Sequence, residues 1–134
     1  MCARTNDSRD SRHYSDWLDY SHDDLVAAKV LKENPQCANA AAFHCQQCIE
    51  KVLKAYILYR TGQSVDGHNL TWLCKKAAKL NGDFSQWLDE SAYLNRYYIQ
   101  TRYPSDNPQD ISQKQLDRAY TMANDMFYMI QAEL

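Results

Sequence analysis

Glycine and proline are scarce in this chain, three of each in 134 residues. That scarcity excludes a fold assembled from many short strands and tight turns. The long intervening segments are rich in Leu, Ala, Gln, Lys and Tyr, which favours helices, and the expected fold is all-α. No apolar run approaches the ~18 residues that a membrane span needs. The opening MCARTNDSRDSRHYS has no hydrophobic segment that could act as a secretory signal. A cytoplasmic protein with no membrane partner is therefore expected. Neither sign of charge is in excess: 15 Lys and Arg face 17 Asp and Glu, for a formal net charge of −2. This argues against a uniformly basic nucleic-acid coat, although a local basic cluster would be hidden in the average. The five cysteines, at positions 2, 37, 45, 48 and 74, are odd in number and make no disulfide framework. A reducing cytosol would keep them as thiols.

What is present fits one domain, large enough to bury roughly 70% of its unfolded surface. Residues 1–13 carry few apolar groups and are expected to form a disordered arm ahead of a helical domain spanning 14–134. A first helix is expected from Ser15, acting as its cap, to about Glu33, with Trp17, Leu18, Leu25, Ala28 and Leu31 on one stripe. Asn34-Pro35 ends it. A second and longest helix should run from about Pro35 to Arg60 and stop at Thr61-Gly62. A third begins near His68, a fourth covers about Phe84 to Thr101 and breaks at RYPSDNP, and a fifth runs from Ser112 to about Ala132. Four or five helices joined by short links imply an antiparallel up-down bundle.

The stretch AAFHCQQCIEKVLKAY, residues 41–56, holds His44, Cys45 and Cys48 close together. At ~100° per residue, Ala38, Ala42, Ile49, Val52 and Tyr56 cluster around Cys45, so both cysteines belong to a core face. A redox CxxC sits exposed at a helix start, whereas this pair is in mid-helix. Cys37, His44 and Cys48 share a stripe and could approach a metal. Cys37, however, lies ~10 Å from His44 along the axis, too far to share one ion, and no metal site is expected. On the other flank Phe43, Gln47, Glu50, Lys54 and Ile57 form a second stripe, read as a partly covered surface suited to a subunit interface or ligand groove.

These segments, AAFHCQQCIEKVLKAYILYRTG, then GHNLTWL, then YLNRYYIQTRYPSD, resemble in order the core of the HEPN domain. The resemblance runs from about Asp16 to Leu134 and includes HDDLVAAKVL. It implies a small antiparallel helical domain. Such domains commonly stand beside or fused to minimal nucleotidyltransferases as toxin–antitoxin-like pairs, while others are metal-independent ribonucleases. The ribonuclease branch places a His four to six residues after an Arg, supplied by both chains of a dimer. Neither Arg96 nor Arg102 is followed by such a His, so an enzyme is not the favoured reading.

The groups able to meet a phosphate or acidic partner are Lys51, Lys54, Arg96, Arg102 and His68. Gln46, Gln47, Glu50, Tyr98 and Tyr103 stand as hydrogen-bonding or stacking neighbours. Arg102 is the first choice, because a guanidinium can hold a phosphate through two parallel bonds; it could equally pair with Glu50. His68, placed in the first turn of its helix, is a weak catalytic candidate, since no Ser, Cys or carboxylate lies beside it in sequence. The expected function is a nucleotide- or RNA-binding partner of a minimal nucleotidyltransferase, without a cofactor and acting as a homodimer. A ribonuclease toxin and a purely structural dimerisation module are the alternatives.

Overall fold

The structure, a computed structural model, describes residues 10–100, 104 and 111–134, apart from the side chains of 99 and 100. Its regular elements are all helical among these residues. They are α1 (Tyr14–Leu31), α2 (Ala38–Thr61), α3 (Leu70–Leu80), α4 (Leu88–Gln100) and α5 (Gln113–Gln131), with 3-10 turns at Pro35–Cys37 and Gly82–Trp87. The antiparallel bundle expected from the sequence is present.

The bundle is organised around α2, which packs against each of the other four helices and most extensively against α1. Ala41, Ala42, Cys45, Ile49, Val52, Leu53 and Tyr56 are fully enclosed, as the core-face reading of the cysteines required. Each large aliphatic group so buried contributes about 1.5–3 kcal/mol. The second stripe departs from expectation: Glu50, Lys54 and Ile57 are also buried, while Phe43 and Gln47 are half-buried. From Gln46 to Leu58 only Gln47 and Lys51 of α2 escape full burial. The cause is a second covering layer, in which α1 brings up Trp17 and the link after Thr61 brings up His68.

Several boundaries differ locally, each with a physical cause. Ser15 lies inside α1, which starts after His13. Among the described residues no side chain caps its first-turn amides; Ser11 braces this end instead, its Oγ accepting from His13 N at 3.1 Å and donating to Asp16 Oδ2 at 2.6 Å. Ser11 also receives Trp17 Nε1 on its carbonyl at 2.9 Å, so the last residues of the expected arm lie against α1. Pro35 heads a 3-10 turn, not the long helix. Phe84 belongs to a second such turn and is buried there, its carbonyl accepting the Cys74 thiol at 3.2 Å. Gly62 ends α2 in the left-handed conformation at φ 73°, its N–H donating to Leu58 O, as Thr61-Gly62 led one to expect. Ser112 caps α5 in a reciprocal capping box with Gln115.

Candidate functional site

Asn69 caps α3, its side chain accepting from Trp72 N at 3.1 Å, and Asn95 of α4 accepts from Leu70 N at 2.9 Å. His68 therefore sits just ahead of the helix, in the link, and not in the first turn as expected. Gly67 before it has φ 105°, a conformation that L side chains rarely adopt, and this turns the chain so that His68 reaches back over α2.

There it meets Glu50. His68 Nδ1 lies 3.0 and 3.1 Å from the two oxygens of the Glu50 carboxylate, so the shared proton sits on Nδ1 and Nε2 is left as the acceptor when the ring is neutral. The same carboxylate takes Lys54 Nζ at 3.0 Å and the amides of Gln46 and Gln47 at 3.2 and 3.3 Å. Gln46 Nε2 also reaches the His68 carbonyl at 3.2 Å. Glu50 is only 4% exposed and Lys54 8%, so each charge depends on the other and on the surrounding donors. Tyr98 of α4 stacks on a face of the imidazole, centroids 4.4 Å apart and planes 15° from parallel. The carboxylate beside His68 was absent from its local sequence because α2 supplies it from 18 residues away.

A cleft of about 690 Å³ opens over this hub, between α1, α2 and the link. Trp17 and Tyr20 form its aromatic wall, and Tyr20 is 64% exposed. Lys54 lies over the Trp17 ring at 5.7 Å and Lys51 over Tyr20 at 5.9 Å. Asp10, Asp16 and Asp66 join Glu50 along the lining, so carboxylates outnumber the two lysines. Lys51 in turn is held by Asp24 of α1 at 2.7 Å, and the other oxygen of Asp24 binds His44 Nδ1 at 2.8 Å. Both cleft ammonium groups are thus already engaged by buried carboxylates.

The structure brings together Lys51, Lys54, His68, Gln47 and Glu50, and places Tyr98 against His68. Arg96 does not join them. It is exposed on another face of α4, its guanidinium carbon 4.4 Å from the centre of the Tyr93 ring. Arg102 and Tyr103 lie outside the described residues. Sequence reasoning missed Asp24, hidden in the charged run HDD, and the Trp17/Tyr20 wall. Asp24 could have been found from its register, since Ser21, Leu25 and Ala28 around it belong to the buried stripe of α1.

The thiols take no part in the site. Burial pushes the Cys45 thiol up to about 12 and raises Cys48 and Cys74 as well. Protonated thiols are poor nucleophiles and poor ligands. Cys48 lies against Ser21, whose Oγ donates to the Cys48 carbonyl at 2.6 Å and sits 3.4 Å from its sulfur. His44, once aligned with Cys37 and Cys48, turns to Asp24. Among the described residues no helix is long and apolar enough to cross a membrane.

The sequence model of the HEPN domain matches residues 14–132. Among solved structures, TT1696 from Thermus thermophilus is similar over 92% of this chain and all of its own, at 25% identity and a TM-score of 0.78. ST0689, an archaeal HEPN homologue, is similar over 90% of this chain and 97% of its own, at 22% identity and a TM-score of 0.69. Comparison with curated proteins gives no match.

Proposed function

The chain belongs to the HEPN domain family, and we propose that it serves as a nucleotide- or RNA-binding partner of a separate minimal nucleotidyltransferase in a toxin–antitoxin-like system. The observation that carries this reading is the cleft itself, where an exposed tyrosine and a half-buried tryptophan stand beside fixed amides, carboxylates and an oriented imidazole. Flat aromatic faces hold unpaired bases by stacking, and acceptors at the rim take the amino and imino protons of a base edge. Because the two lysines already hold carboxylates, base contact is the cleft's stronger capability and phosphate contact the weaker one. The protein acts as a cytoplasmic homodimer in this proposal. Val26 and Val30, exposed one turn apart on α1, offer an apolar strip for pairing.

Calorimetric titration with mononucleotides, short single-stranded RNA and a purified minimal nucleotidyltransferase tests the reading. Tyr20→Ala is expected to weaken base binding about tenfold, in line with the 1–3 kcal/mol that stacking contributes. No heat with any of the three would overturn the proposal.

The Glu50–His68 pair favours a second reading, a metal-independent ribonuclease. A carboxylate that fixes Nδ1–H leaves Nε2 available to take a proton from a 2′-hydroxyl. Cleavage of RNA in the presence of a chelator, lost in both His68→Ala and Glu50→Gln, would select it. Cleavage that persists in both would remove these residues from any such mechanism.

A further inference from the structure

Two guanidinium groups converge on one ring at the edge between α4 and α5. Arg96 and Arg118 each place the guanidinium carbon 4.4 Å from the centre of the Tyr93 ring, and both side chains are exposed. The two carbons therefore lie within twice that distance of each other. Tyr93 is fixed between the helices: Tyr97 donates to its hydroxyl at 3.3 Å, and that hydroxyl donates to the Gln115 carbonyl at 3.5 Å.

Among the described residues the surroundings add no negative charge. One turn either side of Arg96 stand Ala92, Tyr93, Ile99 and Gln100, and one turn either side of Arg118 stand Lys114, Gln115, Thr121 and Met122. Lys114 adds a third exposed cation to the same face of α5. The carboxylate of Asp117 is turned elsewhere, accepting from Gln113 at 2.9 Å and lying 3.7 Å from Lys32. Asp89, on the register of Arg96, is two turns away, about 10 Å along the axis. Neither arginine meets a carboxylate among the described residues. Two like charges held at one ring, with no counter-charge among the described residues, repel, and a shared anion removes that repulsion.

We infer that Arg96, Arg118 and Tyr93 form a phosphate clamp, a site separate from the cleft. An N–H···O contact of about 2.8 Å puts each guanidinium carbon roughly 4 Å from the phosphorus, so two guanidinium carbons no more than ~8 Å apart can share one phosphate beside the ring. Arginine suits this use because its planar fork offers two parallel donors to one phosphate, which a lysine cannot match. Arg96 and Tyr98 are two residues apart, about 160° around α4, so the clamp and the His68 stack occupy different faces of that helix. The clamp rests on the nucleotide or RNA reading for the identity of its ligand, a phosphate of a bound strand or nucleotide. Its chemistry stands without that reading.

Titration of the full chain with inorganic pyrophosphate at low salt, followed by calorimetry and by the arginine Nε–H NMR signals, tests it. Binding should shift the Arg96 and Arg118 signals. R96Q and R118Q should each weaken it about tenfold, R118K should restore little, and Y93F should leave it within twofold. Thermal melts within a few degrees of the parent establish that the variants are folded. Absence of pyrophosphate binding, or equal binding by the R96Q/R118Q double variant, overturns the clamp. A parallel titration with a short RNA separates the two proposals. RNA affinity reduced by Y20A, with no pyrophosphate binding that depends on the two arginines, sinks the clamp and leaves the cleft. Pyrophosphate held by the arginines without RNA or nucleotide affinity keeps the clamp and sinks the cleft reading.

Discussion

Two buried carboxylates, Asp24 and Glu50, each hold one histidine and one lysine, yet they do different things. Asp24 reaches across from α1 to His44 and Lys51 on α2, so its contacts tie two helices. Glu50 shares α2 with Lys54, one turn away, and draws His68 in from a link. Asp24 has its two partners and little else, and the side chains of both keep a quarter to a third of their surface in water. Glu50 receives two glutamine amides as well, and its lysine is almost completely enclosed. The lesson is that one set of residue types makes a seam when its lysine can hydrate and a fixed hub when its lysine cannot, the two histidines being equally exposed.

Removing each acid breaks or sharpens that contrast. Glu50→Gln leaves Lys54 charged and enclosed, and should cost about 3–5 kcal/mol in urea unfolding. The double change with Lys54→Met should recover most of the loss, since an apolar group of similar volume has no charge to desolvate. Alkali should act on the seam next. Cys45 goes from an ordinary value near 9 to about 12 in the fold, and Cys48, packed on Ser21 of α1, is raised too. Unfolded thiols ionise first, so stability is retained below pH 9 and lost between about 9 and 12, by up to about 4 kcal/mol for Cys45 alone. Circular dichroism against pH measures this, and Cys45→Ala should flatten the decline.

Asp24→Asn should cost less than Glu50→Gln, about 1–3 kcal/mol, because Lys51 and His44 can turn to solvent. Equal losses in the two variants would abolish the distinction. Smallest of all, Gly67→Ala meets no atom within 4 Å, but its φ of 105° strains any side chain, for about 1–2 kcal/mol. That change should disturb the NMR signals of His68 and leave those of His44 in place.

The helical order, the core face of α2 and the glycine that ends it could be read from spacing and turn chemistry, because those depend on residues near in sequence. The hub could not. Glu50 and Lys54 form an i,i+4 pair with the spacing of any solvated pair, and Trp17 and the link to His68, distant in sequence, help turn that face inward. The same distance hid the carboxylate partner of His68 and the meeting of Arg96 with Arg118, whose helices are joined through a segment carrying no pattern that pairs them.

A molecule built around a single spindle cannot be divided. With α2 walled in by its four neighbours, any nick that freed α1 or α5 would bare an apolar rod with two enclosed charges on its flank. No half of the chain should persist alone, and denaturation should proceed in one step, with hydrogen exchange along α2 reporting global opening.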